Sequence, residues 1–172
     1  MPAEESRRGP FALVLMGVTG SGKTTIGELL ADQLSWEFLE GDDFHPQANV
    51  AKMANGVPLN DEDRYPWLRL LADRMAELVG DGRDCILACS ALKAEYRDIL
   101  AADPSVEVKF VYLEATEKLI GQRLSERVHR YMPPSLLRSQ FESLEPPEDA
   151  LVVDVSTTPQ DAVRQIRESL GK

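Results

Sequence analysis

The segment Gly17-Val18-Thr19-Gly20-Ser21-Gly22-Lys23-Thr24 carries the groups needed to hold a polyphosphate. Glycines let successive backbone N–H groups turn inward around phosphate oxygens, a lysine ammonium reaches the β- and γ-phosphates, and a threonine hydroxyl can ligate Mg²⁺. The spacing GxxxxGK[ST] is specific where it follows an apolar strand and opens a helix, as it does here after Phe11–Met16; a chance glycine turn is the weak alternative. The chemistry implied is binding of ATP with Mg²⁺ over Gly17–Thr25. A P-loop alone does not name a reaction. No Asn-Lys-x-Asp guanine signature occurs in the chain, and its size disfavours motors and transporters.

A second reactive segment is Leu39-Glu40-Gly41-Asp42-Asp43-Phe44-His45-Pro46. It places carboxylates at the carboxyl end of a strand, where open α/β sheets bind ligands. Asp42 is the candidate that orients an acceptor hydroxyl and takes its proton, and Glu40 joins Thr24 as a candidate for holding Mg²⁺. On local grounds the same acids would serve equally to solvate a loop and cap a helix near Pro46, and the P-loop tips the balance. His45 and Arg64 are ambiguous on local grounds.

A third segment reverses the charge of the chain. Between Arg123 and Arg138 four arginines stand against one acid, Glu126, a balance of +3 within a net charge of −10. Arg123 and Arg127 are spaced i, i+4 and share a helix face, so both could clamp phosphate oxygens while the Tyr131-Met132-Pro133-Pro134 stretch moves as a lid over about 123–138. A solvated helix face is the bland alternative.

These groups need a scaffold. Apolar runs at Phe11–Met16, Trp36–Leu39, Asp84–Cys89, Val106–Leu113 and Ala150–Val155 read as strands, and periodic apolar residues between and after them read as helices. Ile26, Leu29, Leu30 and Leu34 mark the first helix, Leu68, Leu71, Met75 and Leu78 a long one, Leu119 and Leu124 another, and Ala162, Ile166 and Leu170 the last. The alternation predicts an α/β fold: three layers, a five-stranded parallel sheet covered by helices on both faces, plus a short mobile lid. Glu40–Trp67 and Val128–Pro134 read as irregular. No repeat or linker divides the chain, so residues 11–172 are expected as one domain behind a disordered tail over 1–10.

At 172 residues and 43% hydrophobic the chain can bury a core without staples. Its acidity argues against nucleic acid or an anionic membrane as partner. Cys85 and Cys89 fit neither a redox pair nor a zinc site and are expected in the core. The apolar run at Phe11–Met16 is too short for a signal peptide or a membrane span, which makes the cytoplasm the default compartment.

Together, LMGVTGSGKTT, EGDDFHP, NVAKMANGVPLNDEDRYPWL, ACSALKAEYRDIL and LLRSQFESLEPP resemble the successive motifs of the gluconate kinase family over nearly the whole chain after residue 10. The resemblance implies transfer of the ATP γ-phosphoryl group to the 6-hydroxyl of D-gluconate, a nucleoside-monophosphate-kinase-like fold and a homodimer. It implies Lys23, Asp42 and Arg127 as catalytic, Arg123 and Arg127 beside the P-loop at ATP, and His45, Lys52, Arg64, Lys93, Arg97 and Gln140 lining the sugar-acid pocket. The lid departs from the family pattern, with Arg130 where a histidine is usual. Alternatives are a P-loop kinase for shikimate or a related sugar acid, and a nucleotide-binding regulator without turnover.

Overall fold

The computed structural model describes residues 9–126 and 134–172. Most of the expected tail and the centre of the expected lid, including Arg127 and Arg130, lie outside them. Five parallel strands run β1 (Ala12–Met16), β2 (Glu37–Glu40), β3 (Cys85–Ala88), β4 (Val108–Glu114) and β5 (Leu151–Asp154), in the spatial order β2-β3-β1-β4-β5. Around them lie α1 (Lys23–Leu34), α2 (Gln47–Ala54), α3 (Asp61–Gly80), α4 (Ala94–Leu100), α5 (Glu117–Ser125), α6 (Pro134–Ser143) and α7 (Pro159–Leu170).

The central strand shows why the sheet is covered on both sides. All five residues of β1 are buried, and their alternation sends Ala12, Val14 and Met16 to one face and Leu13 and Leu15 to the other. The first face packs on Leu68, Leu71, Met75 and Leu78 of α3 and Leu100 of α4; the second packs on Ile26 and Leu30 of α1 and Val163 and Ile166 of α7. Full burial of a leucine-sized side chain contributes about 1.5–3 kcal/mol, so a strand apolar at every position is stable only where both faces are covered. Cys85 and Cys89 are buried free thiols, both pushed up to about 12 by desolvation, in keeping with a core role.

The segment Glu40–Trp67 is more ordered than its composition suggests. It holds a 3₁₀ turn at Gly41–Phe44, the whole of α2 and the first turns of α3. Polar and acidic residues concealed the start of α3, yet acids are favourable at a helix N-terminus. Asn60 and Asp63 form a reciprocal capping box that fixes it: the Asn60 side chain accepts from the Asp63 N–H at 2.8 Å, and the Asp63 carboxylate accepts from the Asn60 N–H at 3.0 Å. Pro66 sits inside the helix without ending it. In α5 the core contact is made by Ile120 with Leu124, while Leu119 is only half-buried.

The turn that carries the acids is pressed against the sheet. A Cβ on Gly41 would stand 2.5 Å from the Ala88 carbonyl oxygen, a backbone atom that cannot swing aside. Gly41→Ala is therefore expected to lift the end of β2 off β3 and cost about 1–3 kcal/mol. Urea unfolding of the variant checks this, and an unchanged midpoint would refute the close approach.

Candidate active site

The carboxyl ends of β1, β2 and β3 open into a cleft of about 650 Å³ lined by Thr19, Lys23, Thr24, Glu40, Asp42 and Ser90, among others. The P-loop leaves β1 and enters α1 through Gly22, whose left-handed φ of 98° suits only glycine. Ser21 is buried beneath the loop beside Gly17. Lys23 Nζ donates to the carbonyls of Gly17 at 2.9 Å and Val18 at 3.0 Å, which holds the ammonium at the floor of the loop. Burial lowers its pKa, opposed by its neighbours Cys89, Asp42 and Glu40.

Thr24 and Glu40 meet directly, with the Thr24 hydroxyl donating to Glu40 Oε2 at 2.5 Å. A hydroxyl and a carboxylate are the hard oxygen donors that suit Mg²⁺. Among the described residues no three acidic, histidine or cysteine side chains cluster as a metal cage, so an ion here would rely on phosphate oxygens and water for its remaining ligands.

Asp42 is exposed at the cleft edge, and His45 Nε2 lies 3.9 Å from its Oδ1. The His45 ring is stacked on Trp67 with centroids 4.1 Å apart, and Trp67 Nε1 donates to the Gly41 carbonyl at 2.8 Å. This indole locks the acidic turn to α3. Burial lowers the pKa of His45; Asp42 opposes that shift and Arg64 reinforces it.

Next to this lies a network of paired charges. Lys52 Nζ bonds both Asp63 oxygens at 2.7 and 2.9 Å, Lys93 Nζ bonds Asp61 at 3.1 Å, and Arg64 Nη1 donates to the Tyr96 hydroxyl at 3.2 Å, which in turn donates to Asp61. Hydrogen bonds, from Tyr96 to Asp61 and from Lys52 to Asp63, hold both carboxyl groups below their usual range.

The structure thus gathers Lys23, Thr24, Glu40 and Asp42 in one cleft, sets His45 beside it, and groups Lys52, Arg64 and Lys93 around the start of α3. Two expected pocket residues are engaged elsewhere. Buried Arg97 donates to the carbonyls of Ala91, Leu92 and Glu145, bracing the loop after β3. Gln140 accepts from Thr19 N at 2.8 Å and donates to Thr19 Oγ1 at 2.9 Å, tying α6 to the P-loop. Arg123, expected at the phosphates, donates to the carbonyls of Gly20 and Val155, and with Thr25, Thr157, Thr158 and Pro159 it lines a second hollow of about 280 Å³ that shares P-loop residues with the first. Carbonyl-rich loop ends near the guanidinium satisfy it locally, which residue spacing could not reveal. Sequence reading also missed Asn49, Asp61, Asp63, Trp67 and Tyr96; the Asn60–Asp63 capping box was the available signal for the first turn of α3, which carries Asp61 and Asp63.

A Walker-type loop at the central strand, a hydroxyl–carboxylate pair for a hard cation and an acid at the adjoining strand end define a P-loop kinase. A family model described as an AAA domain matches residues 13–147. A probable gluconokinase of Mus musculus is 43% identical, covering 94% of this chain and 98% of its own, and the gluconokinase of Gluconobacter oxydans (strain 621H) is 45% identical, covering 91% and 89%. The crystal structure of a gluconokinase from Sinorhizobium meliloti 1021 superposes with a TM-score of 0.82 at 38% identity, covering 96% of this chain and 98% of that one. The chain belongs to the gluconokinase family.

The lowered pKa of His45 links stability to pH. Its folded value lies below the unfolded value of about 6.5, so between the two the unfolded chain binds more protons and stability rises with pH. The contribution is present above about 6.5 and lost as pH falls through the folded value. In a His129→Gln background, His45→Gln is expected to flatten unfolding free energy measured across that window, and an unaltered slope would contradict it.

Proposed function

We propose that the protein transfers the γ-phosphoryl group of ATP to the 6-hydroxyl of D-gluconate, giving 6-phospho-D-gluconate and ADP. The carrying observation is the shared cleft: Lys23 and Thr24 at the phosphate cradle face Glu40 and Asp42 at the end of the neighbouring strand. In this reading the P-loop N–H groups and Lys23 hold the β- and γ-phosphates, and Thr24 with Glu40 would hold Mg²⁺, directly or through water. The ion, when bound, neutralises charge on the phosphate oxygens. The hollow beside Arg123 and Val155–Pro159 accommodates the nucleoside end.

Asp42 orients the acceptor hydroxyl and takes its proton as the new P–O bond forms and the bond to the β-phosphate breaks. Positioning contributes more than proton removal in such a transfer. Gluconate carries one carboxylate and five hydroxyls, and the paired network of Lys52, Arg64 and Lys93 offers cations and forked partners for them. Arg97 and Gln140 shape this region by holding backbone. Arg127, in a lid over about 123–138, would close on the phosphates and exclude water. We place one kinase domain over 11–172 in a homodimer in the cytoplasm, with no nucleic-acid or membrane partner; the net charge of −10 supports that exclusion.

Purified protein with Mg-ATP and, in turn, D-gluconate, shikimate, 2-keto-gluconate, glucose and glycerate is expected to release ADP strongly with gluconate, and NMR of the product to place phosphate on the 6-oxygen. Preference for another acceptor would overturn the substrate assignment, and absence of transfer to any would favour a nucleotide sensor. Lys23→Ala is expected to lower transfer by orders of magnitude with an unchanged circular dichroism spectrum; near-normal turnover would sink the cradle assignment.

A further inference from the structure

Asn49 is 3% exposed on α2, and its side-chain amide makes two contacts that leave little freedom. Asn49 Nδ2 donates to the Asp63 backbone carbonyl at 2.9 Å and lies 3.2 Å from His45 Nδ1. A carbonyl has no proton to give, so the group facing it must be the NH₂ end; turning the amide over would set two acceptors against each other. The same NH₂ group can then only donate to His45, which makes Nδ1 an acceptor. The imidazole proton is left on Nε2, the nitrogen that faces Asp42 at 3.9 Å. Trp67 holds the ring plane from the other side, and Trp67 is itself anchored on Gly41.

We infer that Asn49 is a positioning residue, which fixes His45 as a neutral Nε2–H donor aimed at the acceptor side of the site. This rests on the proposed transfer to a sugar-acid hydroxyl and deepens it. The gap of 3.9 Å is too long for a direct hydrogen bond and suits two groups that share an oxygen between them. A substrate hydroxyl there accepts from His45 Nε2–H and donates to Asp42 Oδ1, so its proton points at the carboxylate and its remaining lone pair is free for phosphorus. The Asp63 carbonyl that orients Asn49 belongs to the residue whose carboxylate holds Lys52. Donor direction at His45 is therefore set from the cationic wall of the pocket. Charged groups facing His45 are Asp42 from its own turn and Arg64 from α3.

The test uses the full chain, ¹⁵N-labelled, at a pH where His45 is neutral. The protein has two histidines, so a His129→Gln variant assigns the His45 signals in a two-bond ¹H–¹⁵N spectrum. The proton is expected on Nε2. Asn49→Asp, equal in shape but only an acceptor when ionised, is expected to move the proton to Nδ1. It should also shift the acid limb of the kcat/KM profile for gluconate to higher pH and lower kcat/KM on the order of tenfold or more. A proton on Nδ1 in the unmutated protein overturns the inference, and this spectrum decides even if the variant fails to fold. Retention of Nε2–H in a folded Asn49→Asp protein also overturns it, as does an unchanged kcat/KM once the tautomer has reversed. If the spectra agree but gluconate accepts no phosphate, the substrate reading fails and the tautomer assignment stands.

Discussion

Parallel register at the middle of the sheet is the constraint on which the site depends. Ala88 of β3 is paired with Leu15 of β1 on one side and Glu40 of β2 on the other. Three strands therefore end level, within about 10 Å across two strand spacings. One residue beyond Leu15 and Met16 the phosphate loop begins, and one residue beyond Glu40 the acidic turn begins. A slip of one residue in β2 would send Glu40 to the other face of the sheet and part it from Thr24. Two tight contacts hold the register: Gly41 against the Ala88 carbonyl and the Trp67 indole on the Gly41 carbonyl.

Around this edge the molecule manages charge by pairing it. The chain is strongly acidic, yet the cations near the acceptor side are matched to carboxylates of α3, Lys52 with Asp63 and Lys93 with Asp61. Such pairs keep a basic wall assembled, since unpaired like charges so close would repel one another. Their partial exposure makes them weak as stabilising elements, and their use lies in geometry. In the proposed reading, a substrate carboxylate entering this wall would compete with Asp61 and Asp63 for the same donors. The acids would then discriminate against ligands that lack enough oxygens to replace them.

Two side chains that the family resemblance placed in the sugar-acid pocket are engaged in bracing loops. Arg97 satisfies three carbonyls of the loop after β3 and the segment at Glu145, and Gln140 fastens α6 to Thr19. Both keep the phosphate loop and its flanks in place, so their influence on the site passes through the main chain.

The sequence by itself determined the phosphate loop, the five strands and the acid at the end of β2, because each is a local pattern: a fixed spacing, an apolar run, a charge following it. The family resemblance rested on the same short motifs. Only the tertiary structure decided what each polar side chain faces. Arg97 and Arg123 found backbone carbonyls, Gln140 found the N–H and hydroxyl of Thr19, and Asn49 gained its meaning from Asp63 and His45, which lie on separate elements. The start of α3 was written in its capping box, yet its acids masked it as a loop. A hydrogen bond depends on where both ends stand, and residues far apart in the chain meet only when the sheet has closed its register and the helices have packed upon it.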